Sequence, residues 1–96
     1  MEKYAKVVVI GGGVVGCSIL YHLSKFGLKD CLLLERKELT SGSSWHAAGN
    51  VHVISSDPNI SKMMAYTIGL YKEIEKESGH STGFKPSGGF YLASNE

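Results

Sequence analysis

The first third of this chain carries two short apolar runs, positions 7–10 and 31–34, with a helical repeat between them. Residues 5–10 read AKVVVI and residues 31–34 read CLLL. Short unbroken apolar runs suit strands buried on both faces, as in a parallel sheet. Between them, residues 14–26 carry Val15, Ile19, Leu20 and Leu23 at helical spacing, and Gly27 follows the last turn. Glycine suits that place because it takes positive φ without steric cost. Strand, helix and strand within about thirty residues predict a βαβ unit with parallel strands and a right-handed crossover.

The pattern then changes. Residues 38–50, ELTSGSSWHAAGN, are small and polar and predict a loop, or a loop leading into a short helix. Asp57 and Pro58 announce a second helix, since Asp suits the N-cap and Pro the first turn. Ile60, Met63, Met64, Thr67, Tyr71 and Ile74 share one face of it, with both methionines expected in core packing, and Gly79 ends it. Residues 84–93, FKPSGGFYLA, predict one or two strands broken at positions 86–89. There is no internal repeat and no low-complexity tract.

Composition narrows the function classes. Ninety-six residues make one small domain at most, of a size that buries only a modest share of its surface. The formal net charge is +1 with both signs interspersed, which gives no electrostatic reason to expect nucleic acid or an anionic membrane as partner. Cys17 on the first helix and Cys31 at the start of the second strand lack CxxC spacing and read as reduced, buried small residues. The first apolar run is too short for a membrane span and lacks the flanks and cleavage site of a signal peptide. A cytoplasmic location is expected, or the mitochondrial matrix if the source is eukaryotic.

Chemistry concentrates at the first strand–helix junction. Gly11, Gly13 and Gly16 form a GxGxxG pattern, and Gly12 makes it GGGVVG. The pattern alone is weak, but here it follows a strand and opens a helix, the setting dinucleotide binding requires. Gly11 permits the tight turn, Gly13 lets backbone approach a pyrophosphate, and Gly16 lets the helix pack closely on the strand. The helix N-terminus offers free N–H groups and positive dipole to the phosphates. Glu35 ends the second strand, where a carboxylate accepts hydrogen bonds from ribose hydroxyls and would repel a 2′-phosphate. Val15 and Arg36 complete the expected cofactor contacts around this junction. These features specify an adenine dinucleotide without separating FAD from NAD.

The loop after Glu35 makes that separation. Ser43 and Ser44 offer hydroxyls to phosphate oxygens, and Ala47, Ala48 and Gly49 are small enough for backbone to approach a flat ring. The segment Thr40-Ser41-Gly42-Ser43-Ser44-Trp45-His46-Ala47-Ala48-Gly49 closely resembles the flavin loop of the dimethylglycine and sarcosine dehydrogenases, in the D-amino-acid-oxidase-like family of FAD-dependent oxidoreductases. The GGGVVG start, this loop and the tract at 83–93 follow the family's order, so the resemblance covers essentially the whole chain. It implies an α/β, Rossmann-like FAD/NAD(P)-binding βαβ fold, with FAD as cofactor. It also implies oxidation of N-methyl groups on small amino acids by hydride transfer to the flavin. Electron-transfer flavoprotein or oxygen would be the acceptor. Many relatives hold the flavin covalently through the loop histidine, here His46. A neutral imidazole is also a competent nucleophile toward the flavin's 8α carbon, and such a bond would retain the cofactor and raise its potential.

Other residues carry less. Trp45 is expected to pack against its surroundings, His22 to sit mid-helix, His52 beyond the loop and His80 past the second helix. No histidine pair has metal-site spacing, and the acidic residues at 73–77 form a charged helix face. No general base or substrate residue is identified. Residues 1–96 are expected to be the N-terminal part of an FAD-binding domain, incomplete and without the substrate domain of a larger flavoprotein. Alternatives from other classes are a non-catalytic or regulatory flavin-binding relative and an NAD-linked dehydrogenase fragment.

Overall fold

The computed structural model describes residues 4–94, and these divide into two units that part between Gly49 and Asn50. Four elements follow one another: β1 (Val7–Ile10), α1 (Val14–Lys25), β2 (Cys31–Leu34) and α2 (Pro58–Ser78).

The first unit is the βαβ unit expected from the apolar pattern. β1 and β2 pair in parallel, from Val7 opposite Cys31 to Ile10 opposite Leu34. The Gly11 N–H donates to the Leu34 carbonyl at 2.8 Å, which carries the ladder one step past β1. α1 closes with paired turns: the Leu28 N–H reaches the Leu23 carbonyl and the Gly27 N–H the Ser24 carbonyl, both at 3.0 Å. Those bonds require the left-handed residue that Gly27 supplies at φ +89°.

Burial is more one-sided than the unbroken apolar runs imply. Val9 is the one buried apolar residue among the described residues, at 8 % exposure. Val8, Ile10, Leu32 and Leu34 are exposed, so the strands alternate between covered and open positions. The expectation of strands buried on both faces is therefore met on one face only, because one helix covers one side of a two-stranded sheet. Cys17 and Cys31 are free thiols as expected, but they are partly covered rather than buried.

In the second unit, Asp57 caps α2 as expected. Its Oδ1 accepts from the N–H groups of Asn59 at 2.7 Å and Ile60 at 3.3 Å, with Pro58 in the first turn. Gly79 closes the helix at φ +72°. Met64, Thr67, Tyr71 and Ile74 are partly covered, whereas Ile60 and Met63 are exposed, which corrects the expected face at its N-terminal end. Tyr71 stacks on Phe84 with ring centroids 5.9 Å apart. Residues 84–93 form no strand, contrary to the sequence reading. Pro86 has no N–H to donate, Gly88 sits at φ +74°, and the second unit contains no described strand that could complete a ladder.

Candidate functional site: the glycine turn and the loop beside it

All the sequence-predicted site residues lie in the first unit, and most converge on the turn between β1 and α1. Gly11 adopts φ +107°, which the tight turn requires. Gly16 faces this turn so closely that a Cβ there would stand 1.9 Å from the Gly11 carbonyl oxygen. A glycine is therefore the residue that lets α1 rest on the end of β1.

Gly12 is the hub. It is buried, and its N–H donates to Glu35 Oε2 at 2.7 Å. Its carbonyl accepts from the Thr40 N–H at 2.8 Å and, weakly, from the Cys17 thiol at 3.6 Å. A Cβ on Gly12 would meet Leu39 Cδ2 at 2.6 Å and Glu35 Cβ at 3.1 Å. One small residue thus ties the glycine turn to the end of β2 and to the start of the following loop. Leu39, Thr40 and Cys17 were absent from the sequence-derived site. Thr40 opens the segment that resembles the flavin loop and Leu39 is an apolar residue in a polar stretch, whereas Cys17 left no signal of a site role.

Glu35 receives one N–H on each oxygen, since Lys37 donates to Oε1 at 3.1 Å. These bonds, led by that from Gly12 and aided by the adjacent Arg36 charge, hold the carboxyl below its ordinary value near 4.5. Each carboxylate oxygen has two lone pairs, so acceptor capacity remains for hydroxyls of a ligand. Arg36 itself is exposed.

The loop reaches the same junction through Ser44. Gly13, the N-cap of α1, has no side chain to cap with. Instead Ser44 Oγ accepts from the Val14 N–H at 2.8 Å, across thirty positions of sequence. The N–H groups of Gly13, Val15 and Gly16 meet no acceptor among the described residues, although the Val15 side chain is exposed. Residues 42–46 form a compact turn. Within it, the Gly42 carbonyl accepts from the Trp45 N–H at 3.2 Å and from His46 Nδ1 at 2.8 Å. That bond places the proton of a neutral His46 on Nδ1 and leaves the Nε2 lone pair free.

The remaining residues are placed less closely. Ser43 is exposed, and its carbonyl accepts from the His46 N–H at 3.1 Å. Ala48 and Gly49 are exposed, Gly49 at φ +77°, and no hydrogen bond among the described residues ties them to the glycine turn. Trp45 is 77 % exposed, against the expectation that it packs. Among the described residues no group of acidic, histidine or cysteine side chains could hold a metal ion. None of the described helices is long and apolar enough to cross a membrane.

A parallel βαβ unit with free N–H groups at the helix start and a carboxylate at the end of the second strand defines a dinucleotide-binding protein of the Rossmann-like class. The donor set fits that ligand: N–H groups for a pyrophosphate and a half-satisfied carboxylate for ribose. The chain belongs to the FAD dependent oxidoreductase family, whose model matches residues 6–96. The family's description names FAD, not NAD, as the dinucleotide.

The chain is 47 % identical to human mitochondrial dimethylglycine dehydrogenase, over 93 % of this chain and 10 % of the relative. It is 45 % identical to human mitochondrial sarcosine dehydrogenase, over 99 % of this chain and 10 % of that protein. It is also 39 % identical to the mouse mitochondrial pyruvate dehydrogenase phosphatase regulatory subunit, over 100 % of this chain and 11 % of that protein. The chain spans about a tenth of the length of the curated relatives it matches.

Proposed function

We propose that this chain is the FAD-binding start of an oxidoreductase that oxidises the C–N bond of small N-methylated amino acids, such as dimethylglycine or sarcosine. When bound, the flavin supplies the acceptor for a hydride from the substrate. The chain's own residues bind and orient it. The free N–H groups of Gly13, Val15 and Gly16 take the pyrophosphate, with Ser43 and Ser44 beside them. Glu35, steadied by Gly12 and flanked by Arg36, accepts from the ribose hydroxyls. His46 is the tether, and Ala48 and Gly49 leave room for the ring. Electron-transfer flavoprotein or oxygen then takes the electrons. The substrate site and the rest of the FAD domain lie outside these residues in this reading. The setting is the mitochondrial matrix for a eukaryotic source and the cytoplasm otherwise.

One observation carries the proposal. Gly12 and Ser44 bring the fingerprint, the acidic residue and the flavin-loop sequence to a single junction. The His46 tautomer supports the tether, because the nitrogen free of the Gly42 carbonyl keeps its lone pair. The test uses the full-length protein that contains this chain. Acid precipitation should carry flavin into the pellet, and His46→Ala should release it to the supernatant while FAD remains bound before denaturation. Flavin free in the wild-type supernatant would remove the tether, and no flavin in either fraction would remove the cofactor assignment.

A second reading has its own support. The regulatory subunit is 39 % identical over the whole chain, so this segment alone does not separate a catalytic protein from a regulatory relative. Reduction of the bound flavin by dimethylglycine or sarcosine separates them. Bleaching of the flavin absorbance supports the enzyme, and an unchanged spectrum with both amines supports the regulatory relative.

A further inference from the structure

Ser44 is half-buried in a stretch, residues 41–46, that is otherwise exposed. Its hydroxyl oxygen accepts the Val14 N–H at 2.8 Å and so caps a helix whose own N-cap residue, Gly13, has no side chain. His46 sits two residues further on in the same turn. Its backbone N–H is held by the Ser43 carbonyl at 3.1 Å and its ring by the Gly42 carbonyl at 2.8 Å. The imidazole is therefore fixed within the turn. What fixes the turn against the glycine loop is the Thr40 N–H on the Gly12 carbonyl at its start and Ser44 on Val14 at its centre. Of the two, Ser44 is the nearer to His46 and the one made by a side chain. The Ser44 hydroxyl proton is not used in the bond to Val14, so the same group can donate to an anion held at α1.

We propose that Ser44 is the positioning residue of the flavin loop. By capping α1 it sets the distance between the pyrophosphate end of the site and the His46 ring, and so determines how readily His46 Nε2 bonds the 8α carbon of a bound flavin. In that step a C–H bond at 8α gives way to the C–N bond, the protons released go to solvent and the two electrons pass to dioxygen. The inference rests on the reading of His46 as tether. It goes beyond that reading in assigning the alignment to a contact between loop and helix rather than to the histidine alone. Gly13 belongs to the same device. A Cβ on it would stand 3.1 Å from Ser44 Oγ, so a larger residue there would press on the serine that caps the helix.

The test compares full-length wild type with Ser44→Ala and Ser44→Thr on two readouts. The first is the rate at which acid-stable flavin accumulates when apoprotein is given saturating FAD. The second is hydrogen exchange of the peptides covering residues 11–17 and 40–49. Loss of a side-chain cap corresponds to roughly a fivefold change in a local equilibrium. Ser44→Ala should therefore slow attachment by about fivefold or more and speed exchange in both peptides by a similar factor. FAD should still bind at saturation, and Ser44→Thr, which keeps the hydroxyl, should restore both readouts. A merely structural serine would raise exchange without altering the attachment rate at saturating FAD, and that result overturns the proposal. Unchanged exchange in Ser44→Ala overturns it as well. If wild type forms no acid-stable flavin, the tether reading fails on its own and takes this alignment role with it. The exchange data would still report separately whether the cap exists.

Discussion

Gly16→Ala is the substitution for which the structure gives the largest effect. The new Cβ would stand 1.9 Å from the Gly11 carbonyl oxygen, 3.0 Å from its carbon and 3.5 Å from Val9 Cγ1. Ordinary contact begins near 3.4 Å, so α1 must withdraw from the end of β1 by about 1.5 Å or the turn must deform. The obstacle is backbone, which has no rotamer to change. Overpacking costs about 1–3 kcal/mol, and a clash with a carbonyl belongs at the upper end. Replacing a helical glycine by alanine returns about 1 kcal/mol in backbone entropy and propensity. A net loss of about 2 kcal/mol follows, or roughly thirtyfold faster opening of the βαβ unit. Gly13→Ala is the matched control, because its Cβ would meet only Ser44 Oγ, at 3.1 Å, on a short side chain that can adjust. Hydrogen exchange of peptides within residues 7–25 reads local stability in the full-length protein, and the flavin-to-protein absorbance ratio reads occupancy. Gly16→Ala should raise exchange across β1 and α1 and lose flavin, whereas Gly13→Ala should raise exchange less, and only at the α1 start where Ser44 caps it, and lose flavin affinity. Wild-type exchange in Gly16→Ala would refute the close-packing argument, and full flavin affinity in Gly13→Ala would refute the approach of ligand to that backbone.

Three further outcomes are expected. Because the Glu35 carboxyl is held below its ordinary value near 4.5, its contribution to stability is complete above that pH and is lost as pH falls through the lowered folded value. Urea midpoints of the wild type should therefore decline below about pH 4.5 more steeply than those of Glu35→Gln, and parallel profiles would count against the Gly12 contact. Gly69 lies in α2 without positive φ, and a Cβ added there would meet no atom within 4 Å, whereas Gly79 sits at φ +72°. Gly69→Ala should stabilise by about 1 kcal/mol and Gly79→Ala should destabilise by about 1 kcal/mol, read as opposite shifts in exchange of α2 peptides. The isolated 96-residue chain, with one buried apolar residue among those described, should show no cooperative thermal transition by circular dichroism. A sharp, high-temperature melt would contradict that expectation.

The elements most legible in the sequence are those whose cause is local. Unbroken apolar runs marked β1 and β2, helical spacing and Gly27 marked α1, and Asp57-Pro58 with Gly79 marked α2 almost to the residue. The expected strand at 84–93 failed because a strand is a pairing, not a property of one segment. Phe90 and Leu92 are spaced as on one face of a strand, yet both are 98 % exposed and their unit contains no described strand to pair with. The same reasoning accounts for the open face of β1 and β2. Composition there is suited to cover on two sides, and within this unit α1 provides cover on one.

Site residues divide along the same line. Gly11, Gly16 and Glu35 were readable because their roles follow from the turn, the packing and the strand end in which they sit. Gly12 is different. Its neighbours within the turn give no reason for glycine, and the reason comes from Leu39 and Glu35, more than twenty positions away. Ser44 is read from its sequence setting as a phosphate donor, but it reaches α1 as a cap, through a bond that no local pattern encodes. The glycine-rich turn and the serine-rich loop therefore act as one structure. The small residues of the first leave space and an uncapped N–H that the second fills. A change in either segment should be felt by the other, so the coupling between Gly13→Ala and Ser44→Ala should be non-additive in hydrogen exchange of the α1 start. Contacting residues commonly deviate from additivity by about 0.5–3 kcal/mol. Strict additivity would mean that turn and loop are independent, and would return Ser44 to the role its sequence context alone suggests.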